Sequence, residues 1–116
     1  MRKHQELRVW QQAMDLVEQI YQISAAFPDG EKYGLTSQIR RSAVSVPSNI
    51  AEGAARGSSK EYIRFLYIAR GSLSELETQL LIGQRLSYVN DATLTIDLIH
   101  QVSGLLGGLI RYLHSR

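Results

Sequence analysis

Six basic side chains fall within one stretch of this chain: Arg40, Arg41, Arg56, Lys60, Arg64 and Arg70. That stretch, residues 40–70, holds only two acids, Glu52 and Glu61, and carries a net charge of +4. Residues 1–39 and residues 71–116 each carry −1, so the formal total is +2. Clustered cations neutralise phosphates, which makes RNA or DNA the expected ligand class for this surface. A solvated helix face is the plainer reading of the same charges. Arg56, Lys60 and Arg64 recur at every fourth residue. They share one stripe if the helix is continuous and ring a junction if it breaks. Tyr62 and Tyr67 lie nearby, but Tyr62 falls on a core seam and does not count as a stacking platform.

A second pattern is a polar stripe. Gln38, Ser42, Ser45, Asn49, Glu52 and Arg56 follow at alternating steps of four and three, which places them along one side of a helix. The stripe adjoins an apolar seam, where an unpaired buried polar group costs about 1–3 kcal/mol. A hydrogen-bond network between helices or between subunits is the first reading of this stripe, and a ligand or nucleic-acid groove is the second.

Other chemistries lack their residues. Asp97 and His100 have the acid-x-x-His spacing of half a di-iron bundle site, but such a site needs a second copy and two further inward carboxylates. His4 and His114 lie near the ends of the chain, so no metal is expected. Gly53-Ala54-Ala55-Arg56-Gly57-Ser58-Ser59-Lys60 lacks the spacing of a phosphate loop, and no strand precedes it. No pair of side chains suggests an activated nucleophile. The expectation is a non-catalytic protein with no cofactor and no small-molecule substrate.

These residues need elements to position them. The chain has 116 residues, enough for a single domain over 1–116 with its own core. It has no cysteine, which excludes disulfides and thiolate chemistry and suits a reducing cytoplasm. Met1-Arg2-Lys3-His4-Gln5-Glu6 has no apolar signal-peptide region. The longest uncharged run, Leu98 to Ile110, is shorter than a membrane span. A cytoplasmic protein without a membrane partner is therefore expected.

Apolar residues recur at helical spacing throughout. Four helices are predicted, at about 5–26, 32–55, 59–87 and 91–114. In the first, Leu7, Trp10, Met14, Val17 and Tyr21 form an a/d seam, with Val9, Ala13, Leu16, Ile20 and Ile23 beside it. The second has Leu35, Ile39, Ala43, Val46, Ile50 and Ala54, with Pro47 inside and a kink expected there. Ser58-Ser59-Lys60-Glu61 reads as a capping box that opens the third, whose seam runs through Leu66, Leu73, Leu76 and Leu80. Asn90 is the expected cap of the fourth. Leu66, Leu73, Leu76, Val102 and Leu109 are predicted to be fully buried. Short connections make the fold all-α, an up-down-up-down antiparallel four-helix bundle.

Ser45-Val46-Pro47-Ser48-Asn49-Ile50-Ala51-Glu52-Gly53 is the most distinctive segment. It lies between Gln38-Ile39-Arg40-Arg41 and Ala69-Arg70-Gly71-Ser72-Leu73-Ser74-Glu75-Leu76-Glu77, with Val9-Trp10-Gln11 and Phe27-Pro28 upstream. In this order the segments resemble the bacterial four-helix-bundle family of 23S rRNA intervening-sequence proteins, related to the accessory protein of diversity-generating retroelements. The resemblance covers almost the whole chain. It implies a small helical bundle that assembles into a five-membered ring, and it does not imply an enzyme.

Independently, the first and fourth helices each show an apolar arc of about 200°, twice what one core requires. A monomer would expose a large apolar patch, so a closed homo-oligomer is expected, a pentamer on the resemblance. Val9, Ile20, Leu94 and Leu105 are the candidate subunit contacts. Gly104, Gly107 and Gly108 lie on the other side of the fourth helix. There they form either a weakly helical surface or a place of close backbone approach. A protein-binding scaffold without nucleic-acid affinity is the alternative to a nucleic-acid-binding ring.

Overall fold

A computed structural model of the chain describes residues 3–116. Helix α1 spans Arg8–Ser24, α2 Leu35–Ala54, α3 Ser59–Arg85 and α4 Thr93–Ser115, with 3-10 turns at Lys3–Glu6 and Asp29–Glu31. No strand occurs among the described residues. Helices α1 and α3 each pack against both α2 and α4, and among the described residues the backbones of the diagonal pairs stay apart, so the four helices stand at the corners of a square. Their short connections run them up, down, up and down. The protomer measures 46 × 24 × 23 Å.

The core is one continuous cluster. α2 contributes Leu35, Ile39, Ala43, Val46 and Ile50, and α3 contributes Leu66, Ala69, Leu73, Leu76 and Leu80. α4 adds Ile99, Val102, Leu106, Ile110 and Leu113. Leu66, Leu73, Leu76 and Val102 are buried as expected, but Leu109 is only half-buried. It flanks the inward line of Val102, Leu106, Ile110 and Leu113.

In α1 the two apolar sets exchange roles. Val9, Ala13, Leu16 and Ile20 are buried, whereas Met14 and Tyr21 are exposed and Leu7, Trp10 and Val17 are marginal. Of the two stripes in the wide arc of α1, the one through Val9, Ala13, Leu16 and Ile20 is turned into the core between α2 and α4, and the one through Trp10, Met14 and Tyr21 lies towards solvent. Val9 and Ile20 are therefore unavailable as subunit contacts. Leu94, 82% exposed, keeps a free side chain, and Leu105 is half-buried.

The helix ends explain the remaining differences. Residue 7 is extended, so α1 starts at Arg8, after the 3-10 turn. At its other end, Ala26 and Phe27 donate to Ile23 and Ser24 in i→i−3 bonds. Helix α2 is uninterrupted through the buried Pro47. Ser58 Oγ accepts the Glu61 N–H at 3.2 Å, so the predicted cap of α3 is present. Asn90 does not cap α4. Asp91 instead accepts the N–H of Thr93 at 2.9 Å and its hydroxyl at 2.6 Å, which delays the helix to Thr93. These donors hold the Asp91 carboxyl below its ordinary pKa.

Two glycines permit close packing. A Cβ on Gly53 would sit 2.9 Å from Phe65 Cβ and 3.1 Å from the Tyr62 carbonyl, so α2 and α3 approach closely there. A Cβ on Gly83 would sit 3.3 Å from the Phe27 ring. Beyond Gly83, Ser87 takes a left-handed φ of 65°, and Tyr88 N–H donates back to the Gly83 carbonyl at 2.8 Å. That is the Schellman ending that glycine usually provides.

Candidate nucleic-acid interface

The six predicted cations do not form one surface. Three gather where α2 ends and α3 begins. The helix breaks between Ala54 and Ser59, so Arg56, Lys60 and Arg64 ring a junction. Arg56 lies 3.8 Å from the Glu52 carboxylate, and Arg64 lies 3.9 Å from that of Glu61. Both guanidinium groups also flank the Phe65 ring, at 4.8 and 5.2 Å from its centre. Such exposed pairs are worth about 0–1 kcal/mol, yet they already supply each arginine with a counter-charge. Lys60 is exposed and has no ion-pair partner among the described residues.

Arg70 stands apart. Ser72 faces α2 along this part of α3, and a step of two residues turns a helix by about 200°. Arg70 thus faces away from α2, with its guanidinium 5.8 Å from the Tyr67 ring centre.

Arg40 and Arg41 lie nearer the other end of α2. Arg40 Nε donates to Ser24 Oγ at 2.7 Å, and its guanidinium lies 4.5 Å from the centre of the Tyr21 ring. These bonds tie α2 to the end of α1. Arg41 is exposed, with no ion-pair partner among the described residues. Both arginines line an open groove of about 780 Å³, together with Tyr21, Lys32, Tyr33, Thr36, Ser37, Val44 and Ser45. No carboxylate lines it. The sequence reading missed Lys32 and Tyr33. Lys32 belongs by position to the acidic first third of the chain, but it stands only eight residues before Arg40.

The polar stripe on α2 divides by depth. Ser45 Oγ and Ser72 Oγ lie 2.8 Å apart across the α2–α3 interface. Asn49 Nδ2 donates to Ser45 Oγ and to the Ser45 carbonyl, both at 2.8 Å. The middle of the stripe is therefore an interhelical network closed by Ser72. Ser42 is buried, Gln38 is exposed, and Glu52 and Arg56 form the surface pair already described.

Elsewhere, His100 Nε2 lies 3.2 Å from Glu77 Oε1 and joins α4 to α3, while its sequence neighbour Asp97 is exposed. Among the described residues no three side chains of metal-binding type converge. Tyr62 is half-buried beside Gly53. Burial pushes its hydroxyl pKa up, and the Arg116 charge pulls it partly back. Helix α4 is long and apolar enough to cross a membrane by length and composition alone, and only 28% of its most apolar stretch is buried within the chain. Among the described residues no atom lies within 4 Å of where a Cβ on Gly104 would sit. Gly107 and Gly108 face only the Arg111 side chain.

Fold and surface together define a small all-helical bundle protein with a basic outer face on α2 and near the α2–α3 junction. The chain belongs to the family of 23S rRNA-intervening sequence proteins, whose profile matches residues 5–108. It is similar to the crystal structure of a protein of unknown function from the S23 ribosomal protein family of Bacteroides thetaiotaomicron. The two share 20% identity at a TM-score of 0.66, over 92% of this chain and 95% of the other. At that identity the likeness speaks for the fold. No curated protein matches the chain.

Proposed function

We propose that this protein is a non-catalytic, self-associating bundle that binds the phosphate backbone of RNA or DNA in the cytoplasm. The observation that carries the nucleic-acid reading is the unequal state of its cations. Arg41 and Lys60 are exposed with no carboxylate partner among the described residues, and a carboxylate-free groove holds Lys32, Arg40 and Arg41 together. Exposed apolar side chains, among them Leu81, Ile82 and Leu86 on and just after α3 and Leu94 and Tyr112 on α4, support self-association, since soluble monomers rarely leave apolar patches uncovered. Five copies is the number the family resemblance implies. A ring repeats a weak contact around one axis, and such repetition raises avidity by about 10²–10⁴.

Binding is expected to be sequence-tolerant and salt-sensitive, with a log–log slope of about −0.7 to −0.9 per phosphate neutralised. Titration of RNA and DNA by fluorescence anisotropy over a range of salt concentrations measures it. Replacing Arg41, Lys60 and Arg70 by glutamine flattens the slope while helical content stays the same. The Arg56→Gln and Arg64→Gln pair flattens it less, because those charges are already countered. Absence of binding to either nucleic acid at about 50 mM salt defeats this reading and leaves the protein-binding scaffold in its place.

A further inference from the structure

We propose that the α1–α2 groove is a subsite for an unpaired nucleotide of a single strand, with Tyr33 as the stacking platform and Lys32, Arg40 and Arg41 as the phosphate clamp. The proposal rests on the nucleic-acid reading above and adds the strandedness of the ligand.

The groove joins two chemistries that a nucleotide requires. Its cations suit a phosphodiester, and the hydroxyl of Ser37 offers a further hydrogen bond. Its volume of about 780 Å³ falls inside the range of ligand sites, about 300–1,000 Å³. The second requirement is a flat apolar surface for the base. Tyr33 is 90% exposed, an unusual state for a large aromatic side chain, and Lys32 Nζ lies 5.5 Å from its ring centre.

The platform stands on a fixed base. Lys32 N–H donates to the Asp29 carbonyl at 3.1 Å, and Gly34 N–H donates to the Glu31 carbonyl at 2.9 Å. Glu31 is the acid nearest in sequence, and both its carboxylate oxygens are engaged. One accepts the Leu35 N–H at 3.2 Å and the other the Tyr88 hydroxyl at 2.9 Å. The bond to Tyr88 raises that phenol's pKa and ties the turn to the α3–α4 connection. Arg40 is fixed as well, through Ser24 and its stacking on Tyr21, and keeps further N–H groups for a phosphate oxygen. A groove built in advance avoids part of the ordering cost of binding.

A base reaches the Tyr33 ring only when it is free of its own stack, so paired bases inside a duplex do not engage it. Base and phosphate ester also occur together in a free nucleotide. That source predicts that a mononucleotide binds as tightly as a strand.

The test compares a labelled oligouridine of about a dozen nucleotides, a duplex of equal length and uridine monophosphate, at about 50 mM salt. Stacking on an aromatic side chain is worth enough that Tyr33→Ala should weaken the single strand about tenfold or more, leaving the duplex unchanged. Tyr33→Phe keeps the ring and should keep the affinity. The Lys32→Gln and Arg41→Gln pair should weaken strand and duplex alike. Circular dichroism checks that each variant is folded, which the exposure of Tyr33 favours. Equal binding of strand and duplex with no effect of Tyr33→Ala overturns the stacking subsite and leaves the phosphate reading standing. Uridine monophosphate binding as tightly as the oligouridine overturns the single-strand assignment. No binding of any probe defeats this proposal and the nucleic-acid reading together.

Discussion

The α2–α3 seam and the outward face of α4 both contain glycine, and they use it in opposite ways. At the seam, Gly53 lets α3 come so close that a Cβ would collide with Phe65 Cβ at 2.9 Å and crowd the Tyr62 carbonyl at 3.1 Å. Further along, Ser45, Asn49 and Ser72 satisfy one another across the same interface. On α4, a Cβ on Gly104 would meet nothing within 4 Å, and Leu94 is 82% exposed. The seam is finished within one chain, whereas Gly104 lies on the exposed side of α4 and Leu94, near the start of that helix, has a free apolar side chain. The same residue type marks a filled contact in one place and open space in the other.

Substitutions sharpen this contrast. The largest effect is expected in the shared core. Leu76→Ala removes a fully buried side chain of α3 and should cost about 3 kcal/mol in chemical denaturation. Leu94→Ala on α4 should leave protomer stability nearly unchanged and weaken self-association instead. Next comes Gly53→Ala, which should destabilise by about 1–3 kcal/mol because the colliding atoms include backbone. Gly104→Ala should act in the opposite direction, adding about 1 kcal/mol through helix propensity. A loss of stability at Gly104 would show that the α4 face is as closely packed as the seam.

The smallest effect is at the entry to α4. Thr93 holds the Asp91 carboxyl below its ordinary pKa, so the folded state binds that proton less readily than the unfolded chain. The resulting stabilisation is complete above the unfolded carboxylate value. It fades as pH falls through the lower, folded value. The thermal midpoints of the wild type and Asp91→Ala should therefore differ at neutral pH and converge in strong acid.

Much of this was legible in the sequence. The period of the apolar residues gives four helices, and the Ser58-Ser59-Lys60-Glu61 box gives the start of α3. Which side of a wide apolar arc faces inward was not legible. Leu7–Tyr21 and Val9–Ile23 are equally helical in spacing, and only the pair of neighbours around α1 selects the stripe containing Val9 and Ile20 as the inner one. The junction of α3 and α4 misled for a different reason. Asn90 and Asp91 are both good capping types, and the choice depends on which oxygen reaches Thr93. The basic residues were visible as a cluster along the chain, but not as a distribution over the surface. The pairing of Arg56 and Arg64 with nearby acids, and the alignment of Lys32 with Arg41 across a turn, exist only in three dimensions.

The proposed function requires one protomer to be an incomplete unit, its core closed but exposed apolar side chains such as Leu94 and Tyr112 left for other copies. Static light scattering coupled to size exclusion, at micromolar concentration, tests this most directly. The account predicts a mass that is a multiple of the 13.1 kDa protomer, with five copies expected from the family resemblance, and a fall in that mass for Leu94→Ala. A wild-type mass of 13.1 kDa would contradict it.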